Sequence, residues 1–274
     1  MLTHSHQQGR RLTDFALPWM REASEIAMRH YATIDAGSGV MTKDDNSPLT
    51  LADLEIDRLI AERLESRFAG IPVVTEEQAS SHATDAGSGM FFLVDPLDGT
   101  REFISKRDEF TVNIALLENG TPVAGIVAAP ALGCLYCGVA GEGAEKIDLA
   151  TGERSAVSVA VPDNAALRVV ASRSHLTEET RIFIEANLVA ATKNAGSSLK
   201  FCLLAAGEAD LYPRFGPTME WDTAAGHAVL AAAGGHVTDV EGNAFTYGKP
   251  EYRNGWFIAA SRGVEYTLPD VLRP

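Results

Sequence analysis

Phe91-Phe92-Leu93-Val94-Asp95-Pro96-Leu97-Asp98-Gly99-Thr100-Arg101-Glu102-Phe103 is the stretch on which the reading of this chain turns. Its apolar opening predicts a buried strand that delivers Asp95 at its end. Pro96 has no N–H to give a ladder, so the strand is expected to stop there. Gly99 lets the chain turn tightly and brings backbone N–H groups close to whatever lies in front of them. A strand end followed by a turn carrying two carboxylates and a hydroxyl suits a hard cation such as Mg²⁺. The same residues also describe an ordinary Asp-rich turn in which one Asp caps a helix.

Three further acidic segments bear on that choice. Thr50-Leu51-Ala52-Asp53 sits at a predicted helix start, Thr75-Glu76-Glu77 follows a short strand, and Glu220-Trp221-Asp222 begins a small-residue helix. Singly, Asp53 and Asp222 could be helix caps and Glu76 and Glu77 a solvated strand end. Together they require a coincidence.

Composition narrows the function classes. The 274 residues carry 23 basic and 37 acidic side chains, a formal charge of −14, which argues against nonspecific nucleic-acid binding. An anionic substrate would be repelled by that field unless bound metal ions inverted it locally. The polar start, Met1 to Arg11, has no apolar h-region, so no signal peptide is expected. No stretch reads as a membrane span; the longest candidate, Gly125 to Val139, is interrupted by Pro130 and Gly133. Three cysteines fit a reducing cytosol, so a cytoplasmic protein is expected. Cys134 and Cys137, three apart on a strand, should face opposite sides and be unrelated core thiols, with a redox or zinc role as the alternative.

Along the chain, apolar spacing predicts helices over Phe15–Tyr31, Ala52–Phe68, Glu178–Ala186, Ser198–Glu208 and Trp221–Ala233. Short strands are predicted at Ile71–Thr75, Leu167–Ala171 and Trp256–Ala260, with consecutive antiparallel strands at Phe110–Leu117, Val123–Ala129 and Cys134–Ala140. Asn119-Gly120 supplies the turn between the first two of these. Gly37–Asn46 reads as a polar loop with the composition of a lid, with Lys43 in reach of the site or in solvent, and Ser80–Gly89 as a polar insertion. The pattern weakens around Ala150–Val161, where a subdomain boundary is expected. The mixture implies layered α/β or α+β packing.

The combination of Asn46-Ser47-Pro48-Leu49-Thr50-Leu51-Ala52-Asp53, Glu76-Glu77, Asp95-Pro96-Leu97-Asp98-Gly99-Thr100 and Trp221-Asp222-Thr223-Ala224-Ala225-Gly226 resembles the inositol monophosphatase superfamily of metal-dependent, lithium-sensitive phosphatases. Arg101-Glu102-Phe103-Ile104, Glu109 to Ala115, Ser172-Arg173-Ser174-His175 and Tyr212 to Asp222 are most similar to its 3′(2′),5′-bisphosphate nucleotidases. Arg101, Leu49 and Thr75 depart from the usual residues without altering the chemistry.

The resemblance implies an αβαβα sandwich forming a single domain over 1–274, with a metal-binding subdomain 1–155 and a specificity subdomain 156–274. It implies that Glu76, Asp95 and the Leu97 carbonyl hold one Mg²⁺, that Asp95, Asp98 and Asp222 hold a second, and that a third weaker ion can bind near Glu76. Asp53 and Thr100 would position and deprotonate the attacking water, and the Gly99 and Thr100 N–H groups would grip the phosphate. Leu97, Asp98 and Asp222 would border the substrate, with Arg101, Arg173, His175 and Lys200 as candidate nucleotide contacts. The alternatives for these are a capped strand-to-helix connection for Ser172 to His175 and a solvated helix residue for Lys200. Trp221, His227 and His236 read as packing residues. The implied activity is Mg²⁺-dependent conversion of 3′-phosphoadenosine 5′-phosphate to AMP, in sulfur metabolism. Inositol monophosphate or a sugar phosphate is the nearest alternative substrate, and a non-catalytic phosphometabolite sensor a different class. The superfamily's habit also implies a homodimer.

Overall fold

In the computed structural model, residues 3–34, 40–42, 48–83, 89–172 and 176–273 are described. Helix α1 (His4–Thr33) leads to an antiparallel pair, β1 (Val40–Thr42) and β2 (Pro48–Thr50), and to helix α2 (Leu51–Arg67). Then come β3 (Val73–Thr75), β4 (Met90–Asp98), the short helix α3 (Thr100–Ile104), β5 (Thr111–Glu118), β6 (Thr121–Ala129), β7 (Cys134–Val139), β8 (Gly143–Asp148) and β9 (Arg154–Val157). The remainder is β10 (Leu167–Ser172), α4 (Glu178–Glu185), β11 (Val189–Ala195), α5 (Leu199–Ala205), β12 (Leu211–Arg214), β13 (Thr218–Met219), α6 (Ala224–Ala232), β14 (His236–Asp239), β15 (Arg253–Asn254) and β16 (Phe257–Ala260).

Strands β3 to β9 form one sheet in sequence order, with β3 parallel to β4 and every later pair antiparallel. The second large sheet runs β11-β10-β12-β16-β14. Because both faces of the first sheet are covered, its central strands are apolar on both sides. Phe92 and Val94 of β4 face a core with α1 and α2, whereas Phe91 and Leu93 face the core that contains α5 and α6. That same core takes Val170, Tyr212 and Phe257 from the second sheet. The opposite face of the second sheet, Val169, Leu211 and Ile258, packs on Phe183 of α4. The layers are therefore helix, sheet, helix, sheet, helix, as expected.

Two close approaches fix the middle layers. A methyl group at Gly125 of β6 would overlap the Ala225 carbonyl and lie 2.8 Å from the Ala228 Cβ, so α6 rests directly on the strand. Cys134 and Cys137 of β7 are buried on opposite faces, in different cores, as their spacing predicts.

The elements differ from the sequence reading at their ends. Helix α1 begins at His4, capped by Thr3, because Gly9 and Leu12 are buried as well. Strand β4 does not stop at Pro96 but runs to Asp98 through a bulge: Asp95 pairs with Asn113 and Asp98 with Thr111, leaving Pro96 and Leu97 opposite Val112. Helix α6 begins at Ala224, after a turn that contains Trp221 and Asp222.

Candidate active site

The bulge brings both aspartates of β4 to one end of the first sheet. Gly99 follows with φ 88°, a left-handed conformation that favours glycine, and stands as the N-cap of α3. Thr100 thereby opens α3, and its hydroxyl reaches back 3.2 Å to the Leu97 carbonyl and 3.5 Å to Asp53 Oδ1.

Asp53 is buried at the third position of α2. Its Oδ2 accepts the Thr50 N–H at 2.8 Å and the Thr50 hydroxyl at 2.5 Å, closing a capping box. Asp53 is therefore the third residue of a capping box whose N-cap is Thr50, and its other oxygen is turned to Thr100.

These segments border a cavity of about 260 Å³. Glu76, Asp95, Leu97, Asp98, Gly99, Thr100 and Arg101 line it from the first half of the chain, and Ser172, Ser197, Lys200, Arg214 and Asp222 from the second. Asp222 is fixed by its Oδ2, which accepts the Met219 N–H at 2.8 Å, so it braces the turn before α6 rather than capping the helix. Asp98 Oδ2 accepts the Ser198 N–H at 2.7 Å, with Asn113 and Thr111 at 3.4 and 3.5 Å. Asp95 Oδ1 accepts the Leu97 N–H at 3.0 Å.

Burial and crowding make the carboxylates reluctant to ionise together. Burial, then the charges of Glu76, Asp98, Asp222 and Asp53, drives Asp95 well above the usual carboxylate range. Asp222 is raised in the same way by burial and by Asp98 and Glu76. Asp98 is pushed up to about 6 by burial, held there against the opposing Lys200 charge and the Ser198 N–H.

Among the described residues no three His, Cys, Asp or Glu side chains close into a finished metal cage. The donor set nonetheless fits a hard divalent cation. Glu76, Asp95, Asp98 and Asp222 with the Leu97 carbonyl are all oxygen donors around one cavity, and their mutual repulsion is what added positive charge would relieve.

Lys200 corrects the alternative that made it a solvated residue. It is buried, its Nζ donates to the Ser197 carbonyl at 2.6 Å and the Ala195 carbonyl at 3.4 Å, and it sits 5.3 Å from the Tyr212 ring. Burial lowers it to about 8, with the Asp98 charge opposing. Arg101 lines the cavity but is exposed. Arg173, His175 and Lys43 lie outside the described residues.

Arg214 was not among the sequence candidates. Only 7% of it is exposed; one terminal nitrogen donates to the Pro217 carbonyl at 2.8 Å, and its Nε is buried with no hydrogen-bond partner among the described residues. Ser197, which lines the same cavity, likewise has an Oγ with no partner among the described residues. The signal available was an arginine inside the Tyr212-Pro213-Arg214-Phe215 run, where alternation does not say that it faces inward.

Trp221 is buried and stacks on His82, and His227 is buried with its Nδ1 3.0 Å from the Tyr247 hydroxyl, both as packing predicts. His236 differs: it lies on β14 but is exposed.

Comparison with known proteins identifies the family. The inositol monophosphatase family profile matches residues 9–267, and the chain belongs to that family. The 3′(2′),5′-bisphosphate nucleotidase CysQ of Escherichia coli (strain K12) is 44% identical over 208 residues, 76% of this chain and 82% of that protein. The protein of the same description from Buchnera aphidicola is 36% identical over 255 residues, covering 92% and 94% of the two chains. A crystal structure of CysQ from Bacteroides thetaiotaomicron, described as a bacterial member of the inositol monophosphatase family, superposes with a TM-score of 0.78 at 38% identity, over 90% of this chain and 96% of that one. No helix among the described residues is long and apolar enough to cross a membrane.

Proposed function

We propose that this protein is a Mg²⁺-dependent 3′(2′),5′-bisphosphate nucleotidase that converts 3′-phosphoadenosine 5′-phosphate to AMP and phosphate. The observation that carries the reading is that one cavity combines an acidic cluster with two buried cations. A hydroxyl–carboxylate pair, Thr100 and Asp53, adjoins the acidic cluster, and Lys200 and Arg214 line the same cavity. The names of the relatives at 36–44% identity support it.

Glu76, Asp95, Asp98, Asp222 and the Leu97 carbonyl would hold the metal ions, two or three in number. When bound, these would neutralise the carboxylates, acidify a water and balance charge on the phosphoryl oxygens. Thr100 Oγ orients the attacking water and passes a proton to Asp53 Oδ1, whose plane is fixed by the Thr50 cap. The Gly99 and Thr100 N–H groups hold the phosphate being cleaved. Lys200 and Arg214 receive the phosphate that is kept; a buried guanidinium with an unused Nε–H suits a second anion. In-line displacement then needs little beyond positioning and charge neutralisation.

Inhibition by Li⁺, a cytoplasmic location and a homodimer belong to the same proposal. The deciding experiment is phosphate release, with Mg²⁺, from bisphosphorylated adenosine nucleotides, inositol 1-phosphate and fructose bisphosphate. A kcat/KM for 3′-phosphoadenosine 5′-phosphate at least ~10²-fold above that for inositol 1-phosphate is expected. A preference for inositol 1-phosphate refutes the nucleotidase reading.

A further inference from the structure

Two of the carboxylates assigned above come from opposite parts of the chain. Glu76 follows Thr75 at the end of β3, on the edge of the first sheet, and Asp222 follows Trp221 in the turn before α6. One side chain touches the neighbours of both. His82, in the 3₁₀ turn Ala79–Ala83, places its Nε2 2.7 Å from the Thr75 carbonyl. Its ring stacks on Trp221, with centroids 5.0 Å apart and planes 25° apart, and meets Tyr252 at 5.9 Å.

The chemistry of that contact fixes the tautomer. A carbonyl oxygen can only accept, so Nε2 carries the proton and donates it to Thr75. The ring is then held in plane by a hydrogen bond at one end and by the indole face. The turn around it is itself tied down. The Thr75 N–H donates to Ser81 Oγ at 3.1 Å, the Gln78 N–H to Thr75 Oγ at 3.1 Å, and the Gln78 amide to Asp57 Oδ2 at 2.8 Å on α2, one turn beyond Asp53. On the other side the Tyr252 carbonyl accepts the Glu220 N–H at 2.8 Å, two residues before Asp222. His82 thus lies in a continuous set of contacts from the backbone beside Glu76 to the backbone beside Asp222.

We propose that His82 is a positioning residue for the metal site: it sets the separation of Glu76 and Asp222 across the cavity. The proposal rests on the reading of those two carboxylates as ligands. Groups that orient ligands without touching the ion commonly govern its affinity by 10- to 100-fold. A half-buried histidine that merely packs would change stability and leave the affinity alone.

The test is calorimetric titration of the protein with Mg²⁺ in the absence of substrate, beside phosphate release at varied Mg²⁺. His82→Ala should raise the Mg²⁺ dissociation constant by about 10-fold or more. The KM for the bisphosphate at saturating Mg²⁺ should stay within about two-fold of wild type, because Lys200 and Arg214 are untouched. His82→Phe keeps a ring on Trp221 and loses the donor; His82→Gln keeps a donor at the Nε2 position and loses the ring. Each should recover part of the affinity, and either serves if His82→Ala does not fold. A wild-type Mg²⁺ isotherm for these variants, with or without a lower melting temperature, overturns the proposal. Glu76→Gln separates the two failures. If it weakens Mg²⁺ while His82→Ala does not, only the role of His82 falls; if Glu76→Gln also binds Mg²⁺ normally, the ligand assignment falls with it.

Discussion

Thr100 Oγ stands 3.5 Å from Asp53 Oδ1, while Asp53 Oδ2 is held by the N–H and hydroxyl of Thr50. In the proposed mechanism a helix cap therefore doubles as the device that aims the base. Thr100→Ala should lower kcat by roughly 10²-fold or more with a smaller change in KM, the scale of lost general-base positioning. Thr50→Ala should cost about 1 kcal/mol of stability as a cap. It should also reduce kcat, because Asp53 Oδ2 then loses the Thr50 hydroxyl and keeps the backbone N–H of residue 50. Unchanged kcat in a folded Thr50→Ala enzyme would separate the cap from catalysis.

Arg214 is assigned to the phosphate that is kept. Arg214→Ala should raise KM for the 3′,5′-bisphosphate by about 10- to 150-fold, the equivalent of one charged hydrogen-bonding contact. For adenosine 3′-monophosphate the change should be within about three-fold, since that substrate has nothing to lose there. Arg214→Lys should restore only part of the loss, because an ammonium lacks the guanidinium fork. Equal losses on the two substrates would place Arg214 elsewhere in the mechanism.

The acidic cluster sets a pH signature. Asp98 is raised to about 6, so in the metal-free protein its protonation favours the fold, and that contribution is lost as pH rises through about 6. Asp95 and Asp222 act in the same direction. Mg²⁺ should therefore raise the melting temperature more at pH 8 than at pH 5. Asp95→Asn should abolish turnover and, in chelator at pH 8, melt no lower than wild type. A loss of several degrees there would show that Asp95 is structural.

His227 titrates with the opposite sign. Burial lowers it from its ordinary 6.5 to about 3, so it is neutral in the fold and charged in the unfolded chain between those values. Its contribution is present above about pH 6.5 and declines as pH falls, by up to about 1.4 kcal/mol per unit. Urea unfolding in saturating Mg²⁺ should show the slope between pH 7 and 5. His227→Phe should flatten it while lowering stability at pH 7 by about 1 kcal/mol, since the Tyr247 hydroxyl loses one of its partners.

Much of the site was legible in local sequence because its parts sit at element ends. A strand before Asp95, a turn glycine at 99 and a cap at Thr50 each leave a short-range mark. What local pattern missed has a physical reason. Strands β9 and β11 are mostly exposed, so Arg154-Ser155-Ala156-Val157 and Val189 to Ala195 show little apolar alternation. Pro96 lacks the N–H of a ladder residue, but a bulge absorbs it and keeps Asp98 in the ladder. Arg214 and Lys200 carry charge yet are buried, which no hydropathy pattern reports; their cavity exists only once β12 and α5 are assembled beside the first sheet. Likewise the Thr75–His82–Trp221 contacts join residues 146 positions apart, from 75 to 221.

The cavity wall is drawn from both large sheets and the helices between them. Whatever binds there is mortar between two courses of the molecule, so occupancy and cohesion must rise together. Amide exchange should slow most at β4, α5 and the Met219–Thr223 turn when the site is filled, and far less in β8 and β9, which stand on the outer flank.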